Sequence, residues 1–299
     1  MRVAVSASTG LVGRALCTAL VRRGDDVKRL VRGGGQVGPD EIPWDPAHEE
    51  LDADALQGLD AVVHLSGEPI ATGRWNAIKK QRILHSREQS TRFLCEQLAR
   101  LDQPPATLIC ASAIGYYGNR GDEELNEQSS AGTGFLADVC KHWEAACEPA
   151  RAAGIRVVNL RISMVLDHSG GALPNMLTPF RLGFGGRLGN GRAFMSWITL
   201  EDLVRATLFC IDTPSLSGPV NAASPNPVRN ADFTKALARA VRRPAVFPVP
   251  ALVLKATLGE MAQELLLSST RALPARLQAN GYFFNAADID TAFKKLLHA

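Results

Sequence analysis

Residues 3–13 read Val3-Ala4-Val5-Ser6-Ala7-Ser8-Thr9-Gly10-Leu11-Val12-Gly13. A short apolar strand runs straight into small residues and then into the amphipathic stretch Leu11–Arg22. In a parallel α/β sheet, this is where the chain leaves the carboxyl end of its first strand. The N–H groups and positive end of the following helix there form a ready site for a pyrophosphate. Gly10 lets the backbone approach the phosphates, and Gly13 lets the helix pack closely on the strand. Ala7 stands where the usual G-x-x-G-x-x-G turn has its first glycine, and alanine is expected to fit there only with a negative φ. An ordinary strand–helix turn is the plain alternative. The strand before and the helix after favour a dinucleotide site, with Ala7, Thr9, Gly10, Leu11, Val12 and Gly13 as its contacts.

The rest of the chain agrees with that start. Apolar runs at Arg2–Val5, Val27–Val31, Ala61–Leu65, Leu108–Ala111 and Val157–Leu160 alternate with helical patterns at Leu11–Arg22, Arg82–Leu101 and Phe135–Arg151. Nearly continuous apolar strands between helices imply a doubly wound, Rossmann-like parallel α/β sheet covered on both faces. After residue 168 glycine and proline cluster, and the pattern turns mixed. Leu200–Ile211 reads as a helix capped by Thr199 and Val220–Ala222 as a strand. Asn230–Val241 reads as a helix, and the tail from Pro244 as helical and apolar, broken at Pro250 and Pro274. The expected division is a dinucleotide-binding domain over 1–168 and a smaller substrate domain over 169–299, with about 196–224 returning to the first.

The end of the second strand discriminates between cofactors. A carboxylate there binds a ribose hydroxyl of NAD, whereas arginine suits the 2′-phosphate of NADP. Residue 32 is Arg, and no Asp or Glu occurs from Val27 to Pro39, so the expectation is NADP(H). Ala61–Gly67 is another strand ending in small residues, which leave room for the adenosine. His64, inside that apolar run, reads as a core histidine.

Lys+Arg 33 against Asp+Glu 30 gives +3, too even for a surface that holds a polyanion, and no nucleic acid is expected. The six cysteines show no CxxC pair and no zinc spacing and read as reduced thiols. No stretch reads as a targeting segment or membrane span. A cytoplasmic protein with no membrane partner is expected; the oligomeric state is left open.

Ser8–Gly13, Asp60–Gly67 and Ala111–Gly118 together resemble an extended short-chain dehydrogenase/reductase. More narrowly, the chain resembles the atypical "epimerase family protein" group of that superfamily. That resemblance is carried by Leu65–Ile70, Gly73–Trp75, Arg82 with Ser86-Arg87, Ser112–Gly118, Gly170–Pro174, Met176–Gly191, Met195–Ile198, Pro219–Asn230 and Gly259–Leu267. It covers essentially the whole chain, including the C-terminal domain of unknown function found in that group. It implies NADP(H) contacts at Arg32, Leu65, Ser66, Arg82, Arg87 and Val165, beside Gly67 at the end of the small-residue strand.

The superfamily's proton-transfer pair, Tyr-x-x-x-Lys on a helix, is absent. Aligned on Glu144, its positions hold Leu136 and Cys140, and Lys141 lies about 100° round the helix. The superfamily's serine position falls at Ala113, with Ser112 one residue earlier. Ser112 and Tyr116, directly after the fourth apolar strand, are the candidate catalytic residues; Lys141, His142 and Glu144 lie nearby in sequence. The glycine-rich loop Gly183–Gly191, with Arg181, Arg187 and Arg192, would close over an anionic or polar small-molecule substrate. Met195-Ser196-Trp197 would line the same cleft. Two functions are open: an epimerase- or dehydrogenase-like oxidoreductase, or a non-catalytic NADPH-binding regulator or scaffold.

Overall fold

The computed structural model describes residues 1–32 and 38–298 and is built on one large sheet. Its strands begin with β1 (Arg2–Ser6), β2 (Asp26–Val31), β3 (Glu41–Asp45), β4 (Glu50–Leu51), β5 (Ala61–His64) and β6 (Thr107–Ala113). The short β7 (Glu124–Leu125) lies apart, and β8 (Arg156–Ile162) rejoins the sheet. Next come β9 (Met164–Asp167), β10 (Gly170–Gly171), β11 (Phe194–Met195) and β12 (Trp197–Thr199). β13 (Gly218–Ala222), β14 (Val228–Arg229) and β15 (Arg271–Ala272) complete the set. The main sheet has the order β13-β8-β6-β5-β1-β2-β3-β4, parallel throughout except for β4. β9, β10 and β12 form a second sheet; β11–β14 and β15–β7 are two-stranded.

The helices are α1 (Leu11–Arg23), α2 (Ala77–Ala99), α3 (Phe135–Ala145), α4 (Glu148–Ala152) and α5 (Leu173–Arg181). They continue with α6 (Leu200–Asp212), α7 (Asn230–Val241), α8 (Ala251–Leu258), α9 (Ala275–Ala279) and α10 (Ile289–His298). Each face of the main sheet is sealed by its own core. On one side α1 and α6 bury Leu16, Leu20, Leu203 and Cys210 against Val3, Val5, Val63 and Ile109. On the other, α2, α3 and α4 bury Leu94, Leu98, Trp143 and Ala150 against Ala4, Val62 and Leu108. Strand residues alternate between these clusters as the pleat requires. A fully buried leucine of this kind contributes about 2 kcal/mol. A third core joins α5, α7 and α10 through Leu177, Phe233 and Phe293.

Local chemistry sets several boundaries. Thr199 caps α6 by accepting from the Asp202 N–H at 3.1 Å. At the other end of α6, the Arg156 guanidinium donates to the carbonyls of Cys210, Ile211, Thr213 and Leu216. A cation there suits the negative end of the helix. The single helix expected over Phe135–Arg151 is two, with Pro149 in the first turn of the second. The tail expected to be helical from Pro244 becomes helical only at Ala251. Prolines at 244, 248 and 250 remove three backbone donors from the run before it. β3 and α5 were not anticipated; Pro43 and Pro179 interrupt their patterns.

The C-terminal residues do not stay apart from the main sheet. β15 pairs with β7, Leu277 and Tyr282 enter the α1–α6 core, and Glu127 accepts from the Asn221 and Arg276 N–H groups. Among the described residues no helix is long and apolar enough to cross a membrane.

Candidate functional site

All the parallel strands of the main sheet end at one edge, and the small residues flagged in the sequence gather there. Ala7 has φ +51°, so the expectation that alanine would keep a negative φ is corrected. The left-handed turn is imposed by the close packing of α1 against it. The Gly10 N–H donates back to the Ala7 carbonyl at 3.0 Å, and the start of α1 presses on that same carbonyl. A Cβ on Gly13 would lie 2.2 Å from it, which leaves glycine alone at that position. No side chain caps α1 and no acidic residue stands in its first turn, so its positive end is left for an external anion.

β1 and β5 are tied together beneath the turn by Ser6, which is fully buried. Its Oγ accepts from the Leu65 N–H at 2.9 Å and the Ser66 hydroxyl at 3.0 Å. Its own proton is then available to His64 Nδ1, 3.0 Å away. That places the imidazole proton on Nε2, which has no hydrogen-bond partner and belongs to a ring packed edge-on against Trp44. His64 is therefore a core residue, and burial pushes its pKa down to about 4.

This carries a prediction. A histidine held neutral in the fold takes up its proton more readily when unfolded. Stability is then full above about pH 6.5 and is lost as pH falls towards 4, by about 3 kcal/mol from this residue. Urea unfolding from pH 7 to 4 measures the slope, which a His64→Gln variant should flatten.

Arg87 lies half-buried on α2. It donates to the Ile83 carbonyl at 3.0 Å and stands 4.9 Å from the Trp143 ring. Burial lowers its pKa, and the neighbouring carboxylate, Glu68, is engaged by Lys79 at 2.6 Å. A Cβ on Gly67 would come within 3.0 Å of the Arg87 guanidinium, so the glycine opens the strand end to that cation. Arg82 is exposed on the same helix, and Arg32 is exposed where β2 ends. The next five residues, 33–37, lie outside the described part. Val165, on β9, is half-buried beside the turn: Leu11 packs against Gly170, and the Val165 carbonyl lies under Gly171.

The sequence did not disclose what Ser112 does. Its hydroxyl is buried and donates to Glu144 Oε1 at 2.7 Å. Arg161, on β8, meets the same carboxylate through Nε and Nη2, each at 2.8 Å. Through Nη1 it also reaches the Tyr117 hydroxyl at 3.0 Å, and that hydroxyl donates to Asn221 Oδ1 at 2.8 Å. Burial opposes the Arg161 charge, but the Glu144 carboxylate outweighs it and holds the guanidinium pKa above its usual value. Burial pushes Tyr117 up to about 12, which keeps it a neutral donor. The Arg161 guanidinium carbon sits 3.4 Å from the centre of the half-buried Tyr116 ring.

The two vacant superfamily positions are filled by packing. Leu136 touches Gly115, and the buried Cys140 thiol points to the Ala113 carbonyl at 3.5 Å. Burial pushes that thiol up to about 12. Lys141 and His142 lie on the outer face of α3, paired with Asp138 at 2.6 Å and Glu88 at 3.3 Å. Ser196 and Trp197 were expected to line the cleft and are corrected to buried structural positions. Ser196 bridges the Thr270 carbonyl and the Ala272 N–H, and Trp197 is fully enclosed. Arg181, Arg187 and Arg192 are exposed; Arg181 lines a surface depression with Ala240, Val241, Arg242 and Leu297.

The sequence signal for this network lies at Arg161. An arginine inside the apolar strand Val157–Ile162 is buried on a covered sheet and needs a carboxylate partner. Glu144, on the helix packed over that edge, is that partner.

A parallel sheet with a glycine turn at its first strand and polar groups at its carboxyl edge defines a Rossmann-type nucleotide-binding protein. Residues 3–223 match the NAD dependent epimerase/dehydratase family, and residues 249–296 match a domain of unknown function, DUF1731. The chain belongs to the NAD dependent epimerase/dehydratase family. An epimerase family protein of Mycobacterium bovis is 46% identical over 290 residues, covering 97% of this chain and 95% of that protein. A human epimerase family protein crystallised with NADPH superposes with a TM-score of 0.91 at 32% identity, covering 100% of this chain and 99% of that one. A nucleoside-diphosphate sugar epimerase of Corynebacterium glutamicum gives 0.83 at 39% identity, covering 99% of this chain and 58% of that one.

Proposed function

We propose that this chain is an NADP(H)-binding, epimerase- or dehydrogenase-like oxidoreductase that acts on a small molecule without the Tyr-x-x-x-Lys pair. One observation carries the reading: the uncapped glycine turn, the opened Arg87 cation and Tyr116 under Arg161 all stand at the same sheet edge. The residues fit the cofactor. The N–H groups of Thr9–Gly13 and Arg87 would hold the pyrophosphate, with Ala7 shaping the turn and Arg82 close along α2. Arg32 would hold the 2′-phosphate, Leu65, Ser66 and Gly67 the adenosine side, and Val165 the far end. When bound, the dinucleotide supplies or accepts a hydride.

The chain's own part is proton handling and position. Tyr116, whose ring lies 3.4 Å from the Arg161 guanidinium carbon, is the proton donor or acceptor. Ser112, held by Glu144, lines the same strand end. The NADPH in the human relative's crystal structure and the family match support the cofactor reading. The six free cysteines, five of them buried, fit a reducing compartment, and we place the protein in the cytoplasm.

The second reading, an NADPH-binding regulator, has its own support, because Ser112 is fully engaged by Glu144 and Cys140 replaces the lysine. A holo crystal soaked with a metabolite mixture separates the two, since only an enzyme leaves an open polar pocket beside Tyr116.

The cofactor assignment has a direct test. Arg32→Ala is expected to weaken NADPH binding by about 10- to 100-fold, a loss of roughly 1.4–2.8 kcal/mol, while leaving NADH nearly unchanged. Fluorescence titration with both dinucleotides measures it. Equal losses for the two would remove Arg32 from the 2′-phosphate.

A further inference from the structure

Six of the ten exposed large apolar side chains among the described residues fall in two short segments: Leu182 and Phe184 in one, Val246, Phe247, Leu252 and Val253 in the other. The segments are neighbours in space. Leu188 pairs with Val249, the Val249 N–H donates to the Arg187 carbonyl at 2.8 Å, and Gly186 lies directly against the Phe247 carbonyl. An apolar patch of this kind marks an interaction surface.

Its unpaired charge is positive. Residues 168–200 contain three arginines and no Asp or Glu. Of the five cations in residues 233–259, Lys235 and Arg239 pair with Asp232 and Asp290, which leaves Arg242, Arg243 and Lys255 without a carboxylate partner among the described residues. In a chain of net charge +3 the acids are thus concentrated elsewhere. Arg181, Arg187, Arg242, Arg243 and Lys255 are all exposed, and Arg181 and Arg242 line one depression.

The chemistry of the face selects its occupant. A second copy docked about a two-fold axis would set these cations against themselves. A peptide strand added along 244–250 would meet prolines at 244, 248 and 250, where backbone donors are missing. α8 has eight residues, of which only Leu254 is buried, and two turns make a poor wall for a helix groove. An anionic bilayer asks for neither backbone pairing nor a groove. It takes exposed aromatic and aliphatic tips into its interfacial zone and draws the surrounding cations to its headgroups. We propose that this face docks on the anionic surface of a phospholipid bilayer. The expectation of no membrane partner rested on the lack of a spanning segment, which does not bear on surface attachment.

The test is co-sedimentation of the full chain with vesicles of phosphatidylcholine alone or with about 30% phosphatidylglycerol. Binding to the anionic vesicles should be at least about tenfold stronger and should fade at about 0.5 M salt. Phe184→Ser with Phe247→Ser, and separately Arg242→Glu with Arg243→Glu, should each reduce it by about tenfold or more with unchanged urea midpoints. No binding, equal binding to both vesicles, or binding that survives both pairs of substitutions would overturn the proposal. So would a protein that self-associates in solution through this face, shown by a drop in sedimentation coefficient in the phenylalanine variant.

Discussion

Gly13→Ala is expected to destabilise the fold by about 3 kcal/mol or more and to abolish dinucleotide binding in whatever fraction folds. The added Cβ would lie 2.2 Å from the Ala7 carbonyl oxygen and 2.8 Å from the Ser8 Cα. Both contacts are backbone, so no side chain can swing away. Either α1 lifts off the strand or the turn opens, and both moves lose the N–H array. Gly10→Ala is the matched comparison, because its Cβ would stand 3.3 Å from the same oxygen. That change should cost about 1 kcal/mol or less in stability, yet still block the close approach of a phosphate. Urea unfolding together with NADPH fluorescence separates the two variants. A Gly13→Ala protein as stable as wild type would show that the contact of α1 with the turn is not rigid.

The fold was legible where one period ruled. β1, α1, β2, β5 and β6 announce themselves through apolar runs and amphipathic helices, and α7 was placed at Asn230–Val241 by its pattern. β3 was hidden because Glu41-Ile42-Pro43-Trp44-Asp45 buries only two of its five residues and carries a proline. The glycine turn of the candidate site was legible, because close packing of the helix on the strand requires Gly13 for steric reasons. The turn at Ala7 was misjudged because its φ is set by closure onto Gly10 and Gly13, a tertiary constraint that overrides alanine's own preference. The polar network was invisible for a different reason. Ser112, Glu144, Arg161 and Asn221 lie up to 109 residues apart and meet only through strand pairing and helix packing. Lys141 faces outward, as its offset of about 100° round the helix predicts; proximity in sequence ranked Glu144 no higher than Lys141 and His142, although it alone of the three faces inward.

Breaking that network from one side should be costly. Arg161→Met is expected to destabilise the protein by about 3–5 kcal/mol, because it strands the Glu144 carboxylate with only Ser112 to donate to it. The side chains of Arg161 and Glu144 are 3% and 14% exposed, so water cannot readily replace the lost partner. Glu144→Leu should cost a similar amount by leaving the guanidinium unpaired. The double variant should recover much of the loss, since an apolar pair of similar volume removes both desolvation penalties together. Recovery will be incomplete, because the Ser112 and Tyr117 hydroxyls each lose a partner. A double-mutant cycle in urea should therefore give a coupling of about 2 kcal/mol or more, and a value near zero would show that the two groups act independently. The cycle also bears on function. If an apolar pair serves stability nearly as well, the charged pair contributes something that stability alone does not require. The group it positions is Tyr116, whose ring lies 3.4 Å from the guanidinium carbon. On the proposed function, the double variant should accordingly keep its NADPH affinity, assigned there to Arg32, Arg87 and the glycine turn, and lose the proton transfer assigned there to Tyr116.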